Sequence, residues 1–417
     1  MHSGGMSTTT TAPATAIPAP ATPVAPASDY LEADFYRYMD VLTDDERAHA
    51  LRLRAFLDEQ VAPIANEYWA KAEFPMHLIK PLAETGSFGS AIPSVRQFEN
   101  TAVFRGWAAL ETARVDASVA TFVGVQSGLA MNSIAVGGSE EQRQEWLPRM
   151  ATGEVLGAFG LTEPLSGSDS ARGLRTTARR DGDNWILDGE KRWIGNATFA
   201  DVVVIWAKDT ADGQVKGFLV TTDTPGFTAT KIEDKIALRM VQNADIVMSG
   251  VVVPESRRLQ NANSFRDTAT VLRLTRCEVA WQAVGIAVGA YEAALRYTKE
   301  REQFGKPIAS HQLVQDLLVK SLSNITASIG LCLQASRMQD EGVQRDEHSA
   351  MAKAFATSKM RETVAWCREV LGGNGIVLEK GVARFFADAE AIYSYEGTRE
   401  MNTLIVGRAV TGIAAFV

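Results

Sequence analysis

The hydrophobic pattern of the chain changes its period twice, and this limits the possible folds more than any other feature. Up to about residue 156, apolar residues recur every three or four positions, as on one face of a helix. Short β-branched runs bounded by Gly, Pro and Asp then follow to about residue 262, a pattern typical of strands and turns. Helical spacing returns and continues to the C-terminus. We therefore predict an α unit, a β unit and a second α unit.

The N-terminal helical unit is predicted to span residues 29–156. Thr43 and Glu46 have the spacing of a capping box, and Ser139 with Gln142 repeats that spacing. In such a box the two side chains satisfy each other's free backbone N–H groups. Both positions are therefore expected to begin helices.

The segment before this unit, residues 1–28, is expected to be a disordered extension. From residue 7 onward it consists almost entirely of Thr, Ala, Pro and Val. Such a composition cannot bury enough side chain to offset the entropy lost on ordering. A transit peptide is the alternative, and the absence of Arg from the Thr/Ala/Pro-rich part argues against it.

The middle unit, residues 157–262, is predicted to be an antiparallel β-barrel or sandwich. Asp181–Asn184 has the composition of a hairpin turn between two strands. Further strands are expected at Val202–Trp206, Gly217–Thr221 and Ile246–Val253.

The C-terminal unit, residues 263–417, is predicted to be a helical bundle, because long segments keep helical spacing. The segment Leu371–Gly375 is too glycine-rich for a helix interior and is expected to be a turn. The predicted helices are Phe265–Arg301, Pro307–Asp340, His348–Val370 and Thr398–Phe416.

Composition excludes several functions. The 42 Lys and Arg residues against 50 Asp and Glu give a net charge of −8, which provides no basic field for nucleic acid or an anionic membrane. The three cysteines are widely spaced, and no His-Glu-x-x-His pair occurs among the five histidines, so no metal site is expected. We expect no apolar run to be long enough to cross a membrane. We therefore expect a cytoplasmic protein without membrane insertion.

One carboxylate near the C-terminus lies in unusual surroundings. Glu396 stands between Tyr395 and Gly397, with apolar residues on both sides, where a loop enters a helix. Without further information two explanations remain open. A carboxylate near a helix N-terminus is stabilised by the helix dipole alone, whereas a desolvated carboxylate is a candidate catalytic base.

Five motifs, in order, resemble signatures of the acyl-CoA dehydrogenase and oxidase flavoprotein family. The resemblance extends from about residue 29 to residue 416. The motifs are Gly160–Asp169, Lys191–Asn196, Arg301–Gly305 with Gln312, Leu371–Gly375 and Tyr395–Thr398.

This resemblance implies an α+β multidomain fold with an N-terminal α-helical domain, a middle β domain and a C-terminal four-helix bundle. It implies FAD between the β domain and the bundle, completed by a neighbouring subunit of a homo-oligomer, expected to be a tetramer. The implied reaction is α,β-dehydrogenation of an acyl-CoA, with an electron-transfer flavoprotein as acceptor. Glu396 would remove the α-proton, its backbone N–H and a flavin ribityl hydroxyl would hold the enolate oxygen, and the flavin would accept the hydride.

The resemblance also assigns binding residues. Taken alone, Trp193 would be a sheet-core aromatic, and Arg301 and Gln312 would be solvated helix-face residues. By resemblance, the residues on the flavin ring or its substrate side are Leu161, Thr162, Gly167, Ser168, Trp193 and Gly195, with a further FAD contact at Thr398. The residues for the adenosine diphosphate half, across a subunit interface, are Arg301, Phe304, Gln312, Gly372 and Gly373.

The residues implied to contact acyl-CoA are Ser168, Arg276, Tyr395 and Gly397. Arg276 would hold the CoA portion, which suits an anionic ligand on a net acidic protein. A surface ion pair is the alternative for Arg276. Many family members carry an acidic residue three positions earlier, where this chain has Arg273.

Three positions narrow the function. The chain looks closest to glutaryl-CoA dehydrogenases and plant short-chain acyl-CoA oxidases, yet Ala113 and Ala120 stand where glutaryl enzymes have a Glu and an Arg for the distal carboxylate. We therefore expect a short-chain, monocarboxylic substrate and no decarboxylation. Gly195 replaces a hydroxyl residue common in dehydrogenases. Two explanations of this glycine remain open. Oxygen could be the electron acceptor, or the glycine could simply suit a turn at the end of a strand. A non-catalytic protein that binds FAD or acyl-CoA is a further alternative.

Overall fold

The computed structural model describes Met1 and residues 29–416. The predicted extension is outside this range, apart from Met1. The predicted capping boxes at Thr43 and Ser139 are both present. The N-terminal helices are α1 (Asp44–Phe56), α2 (Ala62–Lys71), α3 (Ile79–Glu84), α4 (Ala102–Val115), α5 (Ala117–Val123), α6 (Asn132–Gly137) and α7 (Glu140–Ala151).

A π-helical segment, Gly124–Met131, joins α5 to α6 without a break. Together they form Ala117–Gly137, which is long and apolar enough to cross a membrane by composition, as is Gln312–Asp340. The expectation that no run reaches this length was therefore wrong. The first segment is mostly buried inside the protein and the second partly so, and buried core helices have the same composition.

The middle unit forms one seven-stranded sheet. Its elements are β1 (Gly157–Gly160), a short helix α8 (Ser170–Gly173), β2 (Thr177–Asp181), β3 (Asn184–Ile194), β4 (Val202–Asp209), β5 (Val215–Thr221), β6 (Phe227–Lys231) and β7 (Ala244–Pro254). The predicted hairpin is present as the antiparallel pair β2–β3. Strands β1 and β6 were not predicted, since each has only four or five residues.

The sheet is mixed rather than purely antiparallel, because β4 pairs in parallel with both β1 and β2. Strand β4 is buried on both faces. Val202 and Val204 belong to the hydrophobic cluster of the N-terminal helices, whereas Val203 and Ile205 belong to the cluster inside the β unit. Residues that alternate along one strand therefore join the two units.

The C-terminal unit contains one helix more than predicted. Its helices are α9 (Phe265–Glu300), α10 (Gln312–Asp340), α11 (Asp346–Val370), α12 (Val382–Ser394) and α13 (Arg399–Thr411), and a short hairpin of β8 (Glu302–Gln303) and β9 (Lys306–Pro307) follows α9. Helix α12 was missed because it was read as the approach to a loop. The predicted turn at Leu371 is a 3-10 segment, Gly372–Ile376.

Helix α9 lies at the centre of the molecule and packs against α4, α10, α11 and α12. Its contact with α4 is close: a Cβ at Gly285 would lie 2.3 Å from the carbonyl oxygen of Leu110, and one at Gly289 would lie 2.2 Å from that of Arg114. Glycine is required at both positions because any side chain would separate the two helices.

A buried ion pair joins the N-terminal unit to the bundle. The guanidinium of Arg384 on α12 donates to the carboxylate of Asp116 and to the carbonyl oxygen of Val115 (3.0 Å). Asp116 is fully buried and Arg384 is nearly so. Removing one partner of such a pair leaves an uncompensated buried charge.

We expect Arg384→Met to destabilise the protein by about 3–5 kcal/mol, because Asp116 would lose its partner. Thermal unfolding of the purified protein measures this effect. Arg149→Met is the control, since Arg149 pairs with Glu154 at the surface and such pairs contribute about 1 kcal/mol or less. Equal shifts in the two variants would contradict the prediction.

Candidate active site

A cavity of about 730 Å³ lies where the three units meet. Its walls come from the π-helical segment, the β1–α8 loop, the end of β3, helix α9 and the α12–α13 junction. Of the predicted site residues, those that line it are Leu161, Thr162, Gly167, Ser168, Trp193, Gly195, Arg276, Tyr395, Glu396, Gly397 and Thr398. Residues distant in the sequence thus line one cavity.

The loop Gly160–Asp169 is held by a buried ion pair. Lys191 Nζ donates to Glu163 Oε1 (2.8 Å) and to the carbonyl oxygen of Leu161 (3.1 Å), and Glu163 accepts a further bond from the N–H of Thr176 (3.0 Å). Lys191 is fully buried, and burial lowers its pKa to about 8. The pair holds the loop through its buried residues, and other residues of the loop line the cavity.

Trp193 and Gly195 form the β3 side of the cavity. Trp193 has a left-handed backbone (φ +65°) and is 51% exposed, so it is not a sheet-core aromatic. The guanidinium of Arg192 lies 5.0 Å from its ring centroid. A Cβ at Gly195 would lie 3.1 Å from Val125 Cγ2. The cavity wall at Gly195 is therefore bare backbone with little space for a side chain.

Glu396 lies opposite this wall, at the α12–α13 junction. Its backbone is left-handed (φ +55°), and its side chain is partly buried and faces the cavity. The hydroxyl of Thr275 donates to its Oε2 (2.8 Å). Burial raises the pKa of Glu396, and the hydrogen bond from Thr275 acts in the opposite direction. Among residues 29–416, its backbone N–H has no hydrogen-bond acceptor.

Glu396 is not the cap of the helix that follows it. Helix α13 begins at Arg399, and its cap is Thr398, whose side chain accepts a hydrogen bond from the N–H of Met401 (3.2 Å). Because Thr398 performs this function, Glu396 is free to face the cavity.

Lys353 of α11 holds the Glu396 loop from behind. Its Nζ donates to the carbonyl oxygens of Tyr393 (2.8 Å) and Gly397 (2.9 Å), on either side of Glu396. The side chain is fully buried, and burial lowers its pKa to about 8. The loop is further held by Tyr395, whose hydroxyl donates to Gln282 Oε1 (2.6 Å).

Arg276 adds a positive charge to the same wall. It lines the cavity and its charge lowers the pKa of Glu396. Within residues 29–416 it forms no ion pair, which contradicts the surface ion-pair alternative. Arg273 is not part of the cavity lining.

The predicted adenosine diphosphate residues lie elsewhere, where α9 and α11 end. None of them lines the cavity. Phe304 is 93% exposed with a left-handed backbone (φ +54°), and Gly372 has φ +56°. The exposed group consists of Arg301, Phe304, Gln312, Gly372 and Gly373. Their role at a subunit interface stays a prediction.

Ala113 and Ala120 are both buried. Ala113 lies in the α4–α9 contact, where a Cβ at Gly285 would approach its Cβ to 2.8 Å. Ala120 borders a second, smaller cavity of about 90 Å³, which shares Glu278 and Gln282 with the main cavity. No side chain at these two positions offers a partner for a carboxylate.

Sequence reasoning missed that the cavity wall includes Thr275, Glu278 and Gln282, and that the loops beside it are held by Lys191 and Lys353. A signal was present for the first three, because they are polar residues at helical spacing in the segment predicted to form helix α9. The buried lysines gave none, since a lysine in a helix or strand ordinarily points to solvent.

The cavity residues fit a flavin. Trp193 offers an aromatic face, Gly195 offers bare backbone, and Thr162 and Ser168 offer hydroxyl groups. In addition, the buried side-chain oxygen Oδ1 of Asn402, which belongs to the lining, has no hydrogen-bond partner in the described part of the chain. It provides an acceptor for a ligand N–H or O–H.

Comparison with known proteins agrees with this geometry. The N-terminal, middle and C-terminal domain models of acyl-CoA dehydrogenase match residues 43–154, 158–251 and 265–411. An acyl-CoA dehydrogenase of Bacillus subtilis is 33% identical over 86% of this chain and 96% of its own length.

Two solved structures are similar to this chain over most of its length. Glutaryl-CoA dehydrogenase from Mycobacterium smegmatis, in complex with FADH2, has a TM-score of 0.89 and 37% identity, covering 93% of this chain and all of that one. Butyryl-CoA dehydrogenase from Megasphaera elsdenii has a TM-score of 0.84 and 31% identity, covering 88% and 98%. The predicted three-domain fold and the FAD cofactor are thereby confirmed. The chain belongs to the acyl-CoA dehydrogenase family of FAD-dependent oxidoreductases.

Proposed function

We propose that the protein converts a short-chain, monocarboxylic acyl-CoA to its trans-2-enoyl-CoA, with Glu396 as the base that removes the α-proton. The observation that carries this proposal is the position of Glu396. It is a desolvated carboxylate that shares the lining of a cavity of about 730 Å³ with Trp193 and Gly195. A base with a raised pKa matches the weak acidity of a thioester α-carbon better than an ordinary carboxylate does.

The remaining groups of the chain perform three tasks. Thr275 orients the carboxylate of Glu396 through its hydrogen bond. The unpaired backbone N–H of Glu396 is a donor for the enolate oxygen that forms as the proton leaves. Arg276, at the cavity wall, offers charge-assisted hydrogen bonds to the phosphates of CoA. Bound FAD supplies the two-electron acceptor.

A dicarboxylic substrate is disfavoured on two grounds. Ala113 and Ala120 offer no partner to a distal carboxylate, and Glu278 adds a like charge to the cavity. A buried carboxylate without its partner costs about 3–5 kcal/mol. The similarity to a butyryl-CoA dehydrogenase supports a short acyl chain.

We further propose a cytoplasmic homo-oligomer, a tetramer by resemblance, that passes electrons to an electron-transfer flavoprotein. Large apolar side chains exposed on the C-terminal unit support association, because exposed apolar surface can form a protein–protein interface. These are Phe304, Leu313, Val319, Ile376, Val410 and Ile413. The diphosphate residues around Phe304 would then complete the FAD site of a neighbouring subunit.

Glu396→Gln is expected to keep FAD and bind acyl-CoA but to lose turnover by about 10³-fold or more, because an amide cannot accept the α-proton. Bleaching of the flavin absorbance on addition of butyryl-CoA measures the reductive step directly. Near-normal bleaching in the variant would exclude Glu396 as the base. A wild-type protein that binds the thioester without any bleaching would instead support the non-catalytic alternative.

A second candidate, an acyl-CoA oxidase, is favoured by Gly195, which leaves bare backbone where dehydrogenases often carry a hydroxyl group. We expect electron-transfer flavoprotein or an artificial dye to reoxidise the reduced enzyme at least about tenfold faster than oxygen does. Parallel assays of dye reduction and peroxide formation with butyryl-CoA test this. Peroxide formation at the rate of dye reduction would favour the oxidase.

Lys353→Met should lower kcat by about 10²-fold, because displacing the Glu396 loop by about 1 Å misaligns the base. The flavin spectrum should be unchanged, since Lys353 does not line the cavity. Lys359→Met is the matched control on the same helix, as Lys359 only pairs with Glu362 on α11. A normal kcat in Lys353→Met would show that the loop needs no such support.

A further inference from the structure

One face of helix α9 turns three polar side chains toward the main cavity. Thr275, Glu278 and Gln282 stand at positions i, i+3 and i+7 and all line it. Thr275 donates a hydrogen bond to the carboxylate of Glu396 (2.8 Å), and Gln282 accepts one from the hydroxyl of Tyr395 (2.6 Å). Glu278 lies between them and forms no hydrogen bond to another described residue.

The carboxylate of Glu278 has no partner within residues 29–416, where it forms neither a hydrogen bond nor an ion pair. Burial, reinforced by the charge of Glu396, raises the pKa of Glu278 to about 7. Arg105 acts in the opposite direction, but its guanidinium donates instead to Asn100 Oδ1 (2.9 Å). By contrast, the buried Asp116 is paired with Arg384.

Two glycines leave space for this carboxylate but donate no side-chain hydrogen bond to it. A Cβ at Gly128 would lie 2.9 Å from Glu278 Oε2, and one at Gly124 would lie 3.6 Å from Oε1. Both glycines belong to the π-helical segment. They provide a bare wall against the carboxylate and no donor side chain, so its oxygens keep their hydrogen-bonding capacity at the boundary between the main cavity and the smaller one, both of which Glu278 lines.

We propose that Glu278 binds a hydrogen-bond donor, an ammonium or hydroxyl group, at the distal end of the acyl chain. This rests on the proposed function, because it takes the α-carbon of the thioester to lie at Glu396. Glu278 is one helical turn from Thr275, an axial rise of about 4.5 Å, so the donor is only a few carbons beyond the α-carbon. A carboxylate that has lost its water gains most from a donor that replaces it.

The test uses the FAD-loaded enzyme with pentanoyl-CoA, 5-hydroxypentanoyl-CoA and freshly prepared 5-aminopentanoyl-CoA. We expect the better of the two donor-bearing substrates to exceed pentanoyl-CoA in kcat/KM by about tenfold or more. Which of the two is preferred distinguishes a cation from a neutral donor. Glutaryl-CoA, the like-charge comparator, should be the poorest substrate.

Glu278→Gln should abolish most of the preference for the favoured donor-bearing substrate. Glu390→Gln is the matched control, since Glu390 also lines the cavity but is paired with Arg361, and it should leave the ratio unchanged. The thermal midpoint of Glu278→Gln should equal or exceed that of the wild type, because the change removes an unpaired charge. A lower midpoint would contradict the absence of a partner.

Equal kcat/KM values for the three thioesters in the wild type, or an unchanged ratio in Glu278→Gln, would overturn the assignment of Glu278 while the dehydrogenase function stands. Calorimetric binding of the same thioesters supplies a readout without turnover. A Glu278-dependent binding preference in an enzyme that dehydrogenates none of them would support Glu278 as the recognition group and contradict the proposed reaction.

Discussion

Two lysine ammonium groups, each buried among backbone carbonyls, fix the loops that face each other across the cavity. Lys191 anchors the loop after β1, and Lys353 anchors the loop that carries Glu396. A buried ammonium is costly unless all its donors are used, so these loops are pulled into defined positions. The left-handed backbone of Glu396 persists because this anchor and Tyr395 constrain the residues around it. The geometry of the site depends on these contacts.

The site belongs to no single unit of the chain. The β unit supplies one wall, the bundle supplies the carboxylates, and the π-helical segment of the N-terminal unit closes the space between them. Helix α9 connects these parts, since one of its faces packs against α4 through two glycines and another carries the polar residues of the cavity. A change in domain packing would therefore reach the site directly. The Arg384–Asp116 pair is one of the contacts that prevent such a change.

The two carboxylates of α9 and the α12–α13 junction, Glu278 and Glu396, have different surroundings, which suit them to different roles. Glu396 has a donor at Thr275 and positive charges nearby, at Arg276 and Lys353, which partly offset the effect of burial. Glu278, one turn along α9, has no hydrogen-bond donor within the described residues, and the charge of Arg105 offsets only part of the effect of burial. Glu396 is suited to exchange a proton during the reaction, whereas Glu278 is suited to bind a ligand donor. We propose the first role from the resemblance to the family, and the second from the contacts that surround Glu278 in this structure.

Sequence alone was enough to predict the order of the units, the helix starts at Thr43 and Ser139, and the family resemblance. These features depend on local periodicity and capping, which neighbouring residues fix. Helix α12, the parallel pairing of β4 and the burial of Ala117–Gly137 depend on long-range packing and were missed. The tertiary structure was needed to show that Lys353 lies behind the Glu396 loop and that Glu278 has no hydrogen-bond partner within residues 29–416. A contact between residues far apart in the chain cannot be predicted from neighbouring residues, and the same is true of a missing contact.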